Sequence, residues 1–302
     1  MSWETALDEK IRAYLPEMKW LHDEPLKKHT SFRIGGPAKR MAFPRSTEET
    51  VILAGILQDL GVRTVLLGNG TNVLFPDDGL DAVVLSTGEL GGISRSGDEI
   101  SAEAGVTLAR LATFAWKEGF TGLEFAHGIP GSLGGGVVMN AGAYGGELAD
   151  VLTEVTALWP GGVRTLKADE LKLSYRHSIF TEQPEAVVLR AGLRLMPGDA
   201  DAVKARMDEL MEKRKASQPL EYPSAGSTFK RPEGYFAGTL IEQCGLKGTR
   251  VGGAEVSRKH AGFVINTGDA TCADVLALIE KVQDTVRKEA GVTLEPEVRI
   301  IR

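Results

Sequence analysis

Ser227 lies in Tyr222-Pro-Ser-Ala-Gly-Ser-Thr-Phe-Lys230, a polar, glycine-broken stretch in which a hydroxyl can give or take a proton. Two further segments offer groups that complement it. Ser174-Tyr-Arg-His-Ser-Ile-Phe180 carries a guanidinium at Arg176, and Leu294-Glu-Pro-Glu-Val-Arg-Ile300 carries a carboxylate at Glu297. Taken singly, Arg176 reads as half of a surface salt bridge and Glu297 as half of an ion pair on an edge strand. Together, behind two glycine-rich loops, the three point to an enzyme. On an extended terminal strand Glu295, Glu297 and Arg299 would share one face, with Val298 and Ile300 on the other.

The glycines are the compositional outlier, at 36 in 302 residues, and they are clustered. Clustered glycine marks places where backbone approaches something closely. Gly68-Asn-Gly70 follows an expected strand, but position 73 is valine and no helical pattern follows. The dinucleotide fingerprint therefore fails, and no P-loop is present. What remains is a loop able to turn several N–H groups toward an anion, with Asn69, Thr71 and Asn72 adding polar side chains. By itself it reads as a simple glycine turn. The stretch from His127 to Gly146 is dense in glycine yet carries Ile129, Leu133, Val137, Val138, Met139 and Tyr144. Those residues argue against disorder and for wrapping on a ligand, such as one with phosphates and a flat ring system. Neither Ser132 nor Ser227 sits in a G-x-S-x-G elbow, since Pro130 and Ala225 occupy the first glycine position, so nothing supports a serine hydrolase.

The elements that must position these groups interleave irregularly, which suits an α+β protein. Residues 1–28 are expected to be helical. Ser46-Thr-Glu-Glu49 reads as a capping box ahead of Leu53, Ile56, Leu57 and Leu60, with Gly61 as a stop. Strands are expected over 62–67, 82–86, 100–104 and 186–195, and a hairpin around Pro160-Gly-Gly162. Thr107 caps a helix running to Lys117. Asp199 or Asp201 starts another, with Val203, Met207, Leu210 and Met211 on one face. Beyond it come a helix over 236–244, a strand over 261–266, and a helix after Thr271 with a stripe of Val275, Leu278, Ile279, Val282 and Val286. Val292 to Ile301 reads as a final strand.

A chain of this length suggests two domains or three. The net charge of -6 and the lack of a basic block argue against non-specific nucleic-acid binding. No apolar run approaches the ~18 residues of a membrane span. The start is neither basic nor apolar enough for a signal peptide, so the protein is expected in the cytoplasm. Cys244 and Cys272 match no metal spacing and read as reduced thiols, and the five histidines form no metal motif.

Five ordered motifs carry a resemblance: Leu67-Gly-Asn-Gly-Thr-Asn-Val-Leu74; Gly128-Ile-Pro-Gly-Ser-Leu-Gly-Gly135 with Met139-Asn-Ala-Gly-Ala-Tyr-Gly-Gly146; Ser174-Tyr-Arg176; Pro223-Ser-Ala-Gly-Ser227; and Leu294-Glu-Pro-Glu-Val-Arg299. From about His29 onward the chain closely resembles the UDP-N-acetylenolpyruvoylglucosamine reductases of bacterial cell-wall synthesis. The resemblance implies an FAD-binding fold of the vanillyl-alcohol oxidase and p-cresol methylhydroxylase (PCMH) type, made of two α+β subdomains, plus a smaller α+β substrate domain. It implies an N-terminal helical segment over 1–30, a flavin domain over 31–198, a substrate domain over 199–291, and a terminal strand over 292–302 returning to the flavin domain. FAD would be held without a covalent bond by Gly68, Asn69, Gly70, Thr71, Asn72, Gly128, Ile129, Gly131, Ser132, Gly134 and Arg214. Tyr175, Lys215 and Lys230 would contact substrate. Arg176, Ser227 and Glu297 would be catalytic. NADPH would reduce the flavin, which would then pass hydride to C3 of the enolpyruvyl ether of UDP-N-acetylglucosamine while Ser227 protonates C2, giving UDP-N-acetylmuramate. The competing reading is another PCMH-type flavin oxidoreductase, such as a sugar or alcohol oxidase. No metal is implied, and the chain is expected to be monomeric. One departure stands out: the family's lysine just before Gln218-Pro219 is Ser217 here, so that either Lys215 or Arg214 replaces it or diphosphate binding is weaker. The segment from Phe180 to Ala186 is too short for the substrate lid of some members.

Overall fold

The computed structural model describes residues 2–302. The chain forms two compact units. The first holds the chain up to His22, Arg40–Asn69 and Ala82–Lys213; the second holds Asp23–Lys39, Gly70–Asp81 and Arg214–Arg302. The architecture is α+β. Among the described residues no helix is long and apolar enough to cross a membrane.

In the first unit, α1 (Trp3–Tyr14) starts at Ser2, whose hydroxyl accepts from Thr5 N–H, and buries Leu7 and Ile11. The helical expectation for 1–28 fails beyond it. Pro16 follows the C-cap Leu15, and Lys19–Pro25 is a strand followed by a short 3-10 turn. Pro16 brings no N–H to continue the helix, and its ring disfavours helical geometry at Leu15. Asp8 ties α1 down. Arg40 Nε and Nη2 reach its two oxygens at 2.8 and 2.6 Å, and Trp20 Nε1 donates to it at 2.8 Å.

Helix α2 (Thr47–Asp59) is capped by Ser46, which accepts from Glu49 N–H. The capping box is incomplete: the Glu49 carboxylate turns back one residue further, to the N–H and guanidinium of Arg45. Leu53, Ile56 and Leu57 are buried as the spacing predicts. Lys19–Pro25, Pro37–Phe43, Leu80–Ser86 and Thr64–Leu67 lie side by side in that order, the last two in parallel. A five-stranded antiparallel sheet runs Gly162–Lys167, Leu152–Trp159, Val187–Arg194, Glu99–Glu103, Ile93–Ser96. Its hairpin closes at Trp159 opposite Gly162, across the expected Pro160-Gly161 turn.

Helix α3 (Leu108–Lys117) is capped by Thr107. The glycine-dense stretch contains a short helix, α4 (Leu133–Val138). Tertiary packing overrides propensity there. A Cβ on Gly134 would sit 2.9 Å from that of Ala104, so only glycine lets this backbone approach the sheet. The four-residue α5 (Ile179–Glu182) follows the Ser-Tyr-Arg turn, and α6 (Ala200–Ser217) begins where Asp199 accepts from Ala202 N–H.

The second unit packs α7 (Ala237–Gln243) and α8 (Cys272–Ala290) with the antiparallel strands Arg250–Val251, Ala254–Val256 and Val264–Asn266. All five residues of the α8 stripe are buried. Thr271 and Asp274 form a true capping box, and Gly291 ends the helix at φ +68°. The expected terminal strand is broken. Only Arg299–Ile300 is regular, paired in parallel with Val73–Leu74. Pro296 brings no N–H to a ladder, and residues 295–297 pair instead with the segment after Ser227.

Candidate active site

In the second unit, Gly226 adopts a left-handed conformation (φ +76°) between the buried Ala225 and Thr228. That turn exposes Ser227, whose hydroxyl has no hydrogen-bond partner among the described residues. Its neighbour is fixed from three directions. Thr228 N–H donates to Gly262 O at 2.8 Å, Thr228 O accepts from Glu297 N–H at 2.8 Å, and Thr228 Oγ1 accepts from Val264 N–H at 2.9 Å. Phe229 then faces Pro296 in antiparallel pairing, and Lys230 N–H donates to Glu295 O at 2.9 Å. The serine and the glutamate, 70 positions apart in the chain, thus share one backbone ladder.

Asn72 fastens the other side of Glu297. Its Nδ2 donates to Glu297 O at 3.1 Å, and its own carbonyl accepts from Arg299 N–H at 3.1 Å. This residue, expected at a cofactor, spends its side-chain amide on the segment that carries Glu297. Gly70 (φ +64°) is buried, and a Cβ there would lie 2.0 Å from His29 O, so the loop admits no side chain at that point. Lys230 reaches Glu295 at 3.3 Å. Arg214 Nε donates to Gln218 at 3.3 Å, and the Lys215 carbonyl accepts from Lys259 Nζ at 2.6 Å.

In the first unit, the other expected loop residues converge. A Cβ on Gly68 would lie 2.6 Å from Ser132 Oγ, and Asn69 Nδ2 donates to Pro130 O at 3.2 Å. Gly131 O accepts from Leu108 N–H, Leu133 N–H donates to Val106 O, and Gly134 N–H to Ala104 O. Ile129 packs against the core. Ser132 is 2% exposed, and among the described residues its hydroxyl has no partner. A buried orphan hydroxyl beside a glycine-lined surface fits the oxygen-rich diphosphate of a dinucleotide cofactor.

Ser174 and His177 exchange two backbone hydrogen bonds of 3.1 Å, which makes Tyr175 and Arg176 the tip of a tight turn. Arg176 is left-handed (φ +55°), and its guanidinium lies 5.0 Å from the centroid of the exposed Tyr175 ring. Asn140 anchors this turn. It is fully buried at φ +42°, donates to Ser174 O at 3.2 Å and accepts from Ala149 N–H at 2.9 Å. Sequence reasoning passed over Asn140; a lone asparagine between Met139 and Ala141 was the only signal. His127 was passed over too. Its Nδ1 is buried with no partner among the described residues, and burial pushes its pKa down, with Lys204 adding to this and Asp208 opposing it.

The family comparisons divide the chain into two continuous parts. Residues 38–166 match the FAD binding domain model, and residues 218–301 match that of the UDP-N-acetylenolpyruvoylglucosamine reductase C-terminal domain. The chain is 49% identical over 296 residues to the UDP-N-acetylenolpyruvoylglucosamine reductase of Caldanaerobacter subterraneus, covering 98% of each chain. It is 48% identical to that of Clostridium novyi, covering 98% of this chain and 96% of the relative. The crystal structure of the reductase from Thermus caldophilus superimposes with a TM-score of 0.80 at 34% identity, covering 95% of this chain and 99% of that one. The chain belongs to the UDP-N-acetylenolpyruvoylglucosamine reductase family.

Proposed function

We propose that this protein reduces the enolpyruvyl ether of UDP-N-acetylglucosamine to UDP-N-acetylmuramate with NADPH, by way of non-covalent FAD. The observation that carries the reading is the Ser227–Glu297 ladder: an exposed hydroxyl and a carboxylate held on adjoining, hydrogen-bonded segments. When bound, FAD supplies the hydride chemistry that couples NADPH oxidation to reduction of a carbon–carbon double bond. Gly68, Asn69, Gly70, Thr71, Asn72, Gly128, Ile129, Gly131, Ser132 and Gly134 are its proposed contacts, with Arg214 meeting its charge.

Addition of hydride at C3 leaves electron density at C2 and on the neighbouring carboxylate. Arg176 stabilises that charge. Ser227 donates the proton that C2 takes up, so one hydride and one proton account for the product. Glu297 is the adjoining carboxyl that returns a proton to Ser227. Tyr175, Lys215 and Lys230 contact the substrate, the two lysines toward its diphosphate, with Lys215 or Arg214 serving where Ser217 replaces the usual lysine.

The proposed nucleotide and nicotinamide substrates support a cytoplasmic location for the reaction. The purified protein should be yellow, should bleach with NADPH under anaerobic conditions, and should regain its colour when the enolpyruvyl substrate is added. A reduced flavin that substrate fails to reoxidise would refute the reading.

A further inference from the structure

His260 lies outside every residue set considered above, yet it touches the backbone that presents Ser227. Its Nδ1 accepts from Gly262 N–H at 3.1 Å. The carbonyl of the same Gly262 accepts the Thr228 N–H at 2.8 Å. A backbone N–H can only donate, so Nδ1 carries no proton, and the neutral ring bears its hydrogen on Nε2. The ring sits in a fitted slot. A Cβ on Gly238 or on Gly262 would come within 3.2 or 3.1 Å of His260 Cε1, and Phe263 meets the ring edge-on at a centroid distance of 5.0 Å. The backbone is held as well: His260 N–H donates to the buried Ser257 hydroxyl at 3.3 Å, and His260 O accepts from Phe263 N–H at 3.0 Å. A packing role alone would need no acceptor at Nδ1.

We propose that His260 is a positioning residue for Ser227: its neutral imidazole fixes the Gly262 peptide, which in turn fixes Thr228 and the serine before it. The proposal rests on the reading of Ser227 as proton donor. Protonation would set an Nδ1–H against the Gly262 N–H, donor facing donor, and release the clamp. Burial is the largest influence and holds the ring below its ordinary pKa; a hydrogen bond to the backbone of His260 itself opposes it, the Lys247 ammonium acts with burial, and Glu242, paired with Lys247 at 2.6 Å, acts against it.

The test compares the FAD-loaded wild type with His260→Asn and His260→Leu. Asparagine can place Oδ1 near the position of Nδ1 and does not titrate; leucine keeps bulk without an acceptor. Rapid-mixing traces give flavin reduction by NADPH and flavin reoxidation by substrate. In His260→Leu the ratio of reoxidation to reduction should fall about 100-fold, as expected for a reacting group displaced by ~1 Å. His260→Asn should recover most of that loss; wild-type reoxidation should decline toward acid pH, and that of His260→Asn should not. Amide hydrogen exchange at Thr228 and Gly262 should be faster in His260→Leu than in the other two. Equal losses in both variants, an acid decline that persists in His260→Asn, or unchanged exchange at Thr228 would each overturn the proposal. Should His260→Leu not fold, the pH comparison of His260→Asn with wild type decides alone. If wild-type reduced flavin is not reoxidised by substrate, it is the proposed function that falls, while amide exchange, which needs no substrate, still tests the clamp.

Discussion

Gly70 and Gly61 have nearly the same left-handed backbone, φ +64° and +61°, but opposite surroundings. A Cβ on Gly70 would strike His29 O at 2.0 Å, whereas nothing lies within 4 Å of one on Gly61. Gly61→Ala should therefore cost only the left-handed conformation, about 1–2 kcal/mol. Gly70→Ala should cost that and the clash, and should also lose FAD; chemical denaturation and flavin content check both. If the two variants melt alike, the close approach at Gly70 is not real. The thiols are separable in the same way. Burial, with Asp77 and Asp78 adding to it, pushes the Cys272 thiol up to about 11. In the native protein at pH 8 a thiol-specific reagent should leave Cys272 untouched and should reach it on unfolding. That both cysteines were free thiols was legible from their spacing; that one is shielded was not, because the shielding comes first from burial in the fold, with Asp77, whose carboxylate accepts from Cys272 N–H across 195 positions of sequence, adding to it.

Helices announced themselves where a cap and a stripe coincide. Thr271 and the five buried apolar residues of α8 were readable, because each signal acts within a few residues. The failures were at segments whose conformation is set from a distance. Lys19–Pro25 is a strand because of its neighbours, and residues 295–297 leave the expected strand to pair with residues 228–230. The same division predicts two kinds of variant. Thr271→Ala removes a cap and should lower stability by about 1 kcal/mol without changing either half-reaction. Asn140→Ala leaves Ala149 N–H without its partner and removes one of the two donors to Ser174 O, which keeps His177 N–H, so it should cost about 1–3 kcal/mol. It should also slow flavin reoxidation by substrate, because the turn bearing Arg176 loses its anchor; single-turnover traces would show this. Loss of stability with unaltered reoxidation would mean that Asn140 serves the fold alone.

At the scale of the whole chain, the two units differ from what continuous segments suggest: the second takes in Asp23–Lys39 and Gly70–Asp81 as well as the C-terminal part. No local signal marks such excursions, since contacts rather than composition define them. Each unit carries a histidine whose pKa burial pushes below the ordinary 6.5, His127 in the first and His260 in the second. As pH falls through 6.5 the unfolded chain takes up these protons before the folded one. Their stabilising contribution is thus full above 6.5 and lost toward the lower folded values. Asp8 behaves likewise in a lower window. Burial alone would raise its carboxyl, but hydrogen bonds from Arg40 and Trp20 hold it below 3.8, so its contribution is present above that value and lost as the folded carboxyl protonates. The melting temperature should fall in two stages on acidification, the first beginning near neutrality; a flat profile between pH 7 and 5 would contradict the histidine assignments. The central claim is that Ser227 supplies the proton, and one experiment addresses it most directly: anaerobic half-reactions of Ser227→Ala. The variant should keep its FAD and be reduced by NADPH as the wild type is, yet substrate should reoxidise it about 10²- to 10⁴-fold more slowly. Reoxidation at the wild-type rate would contradict the account.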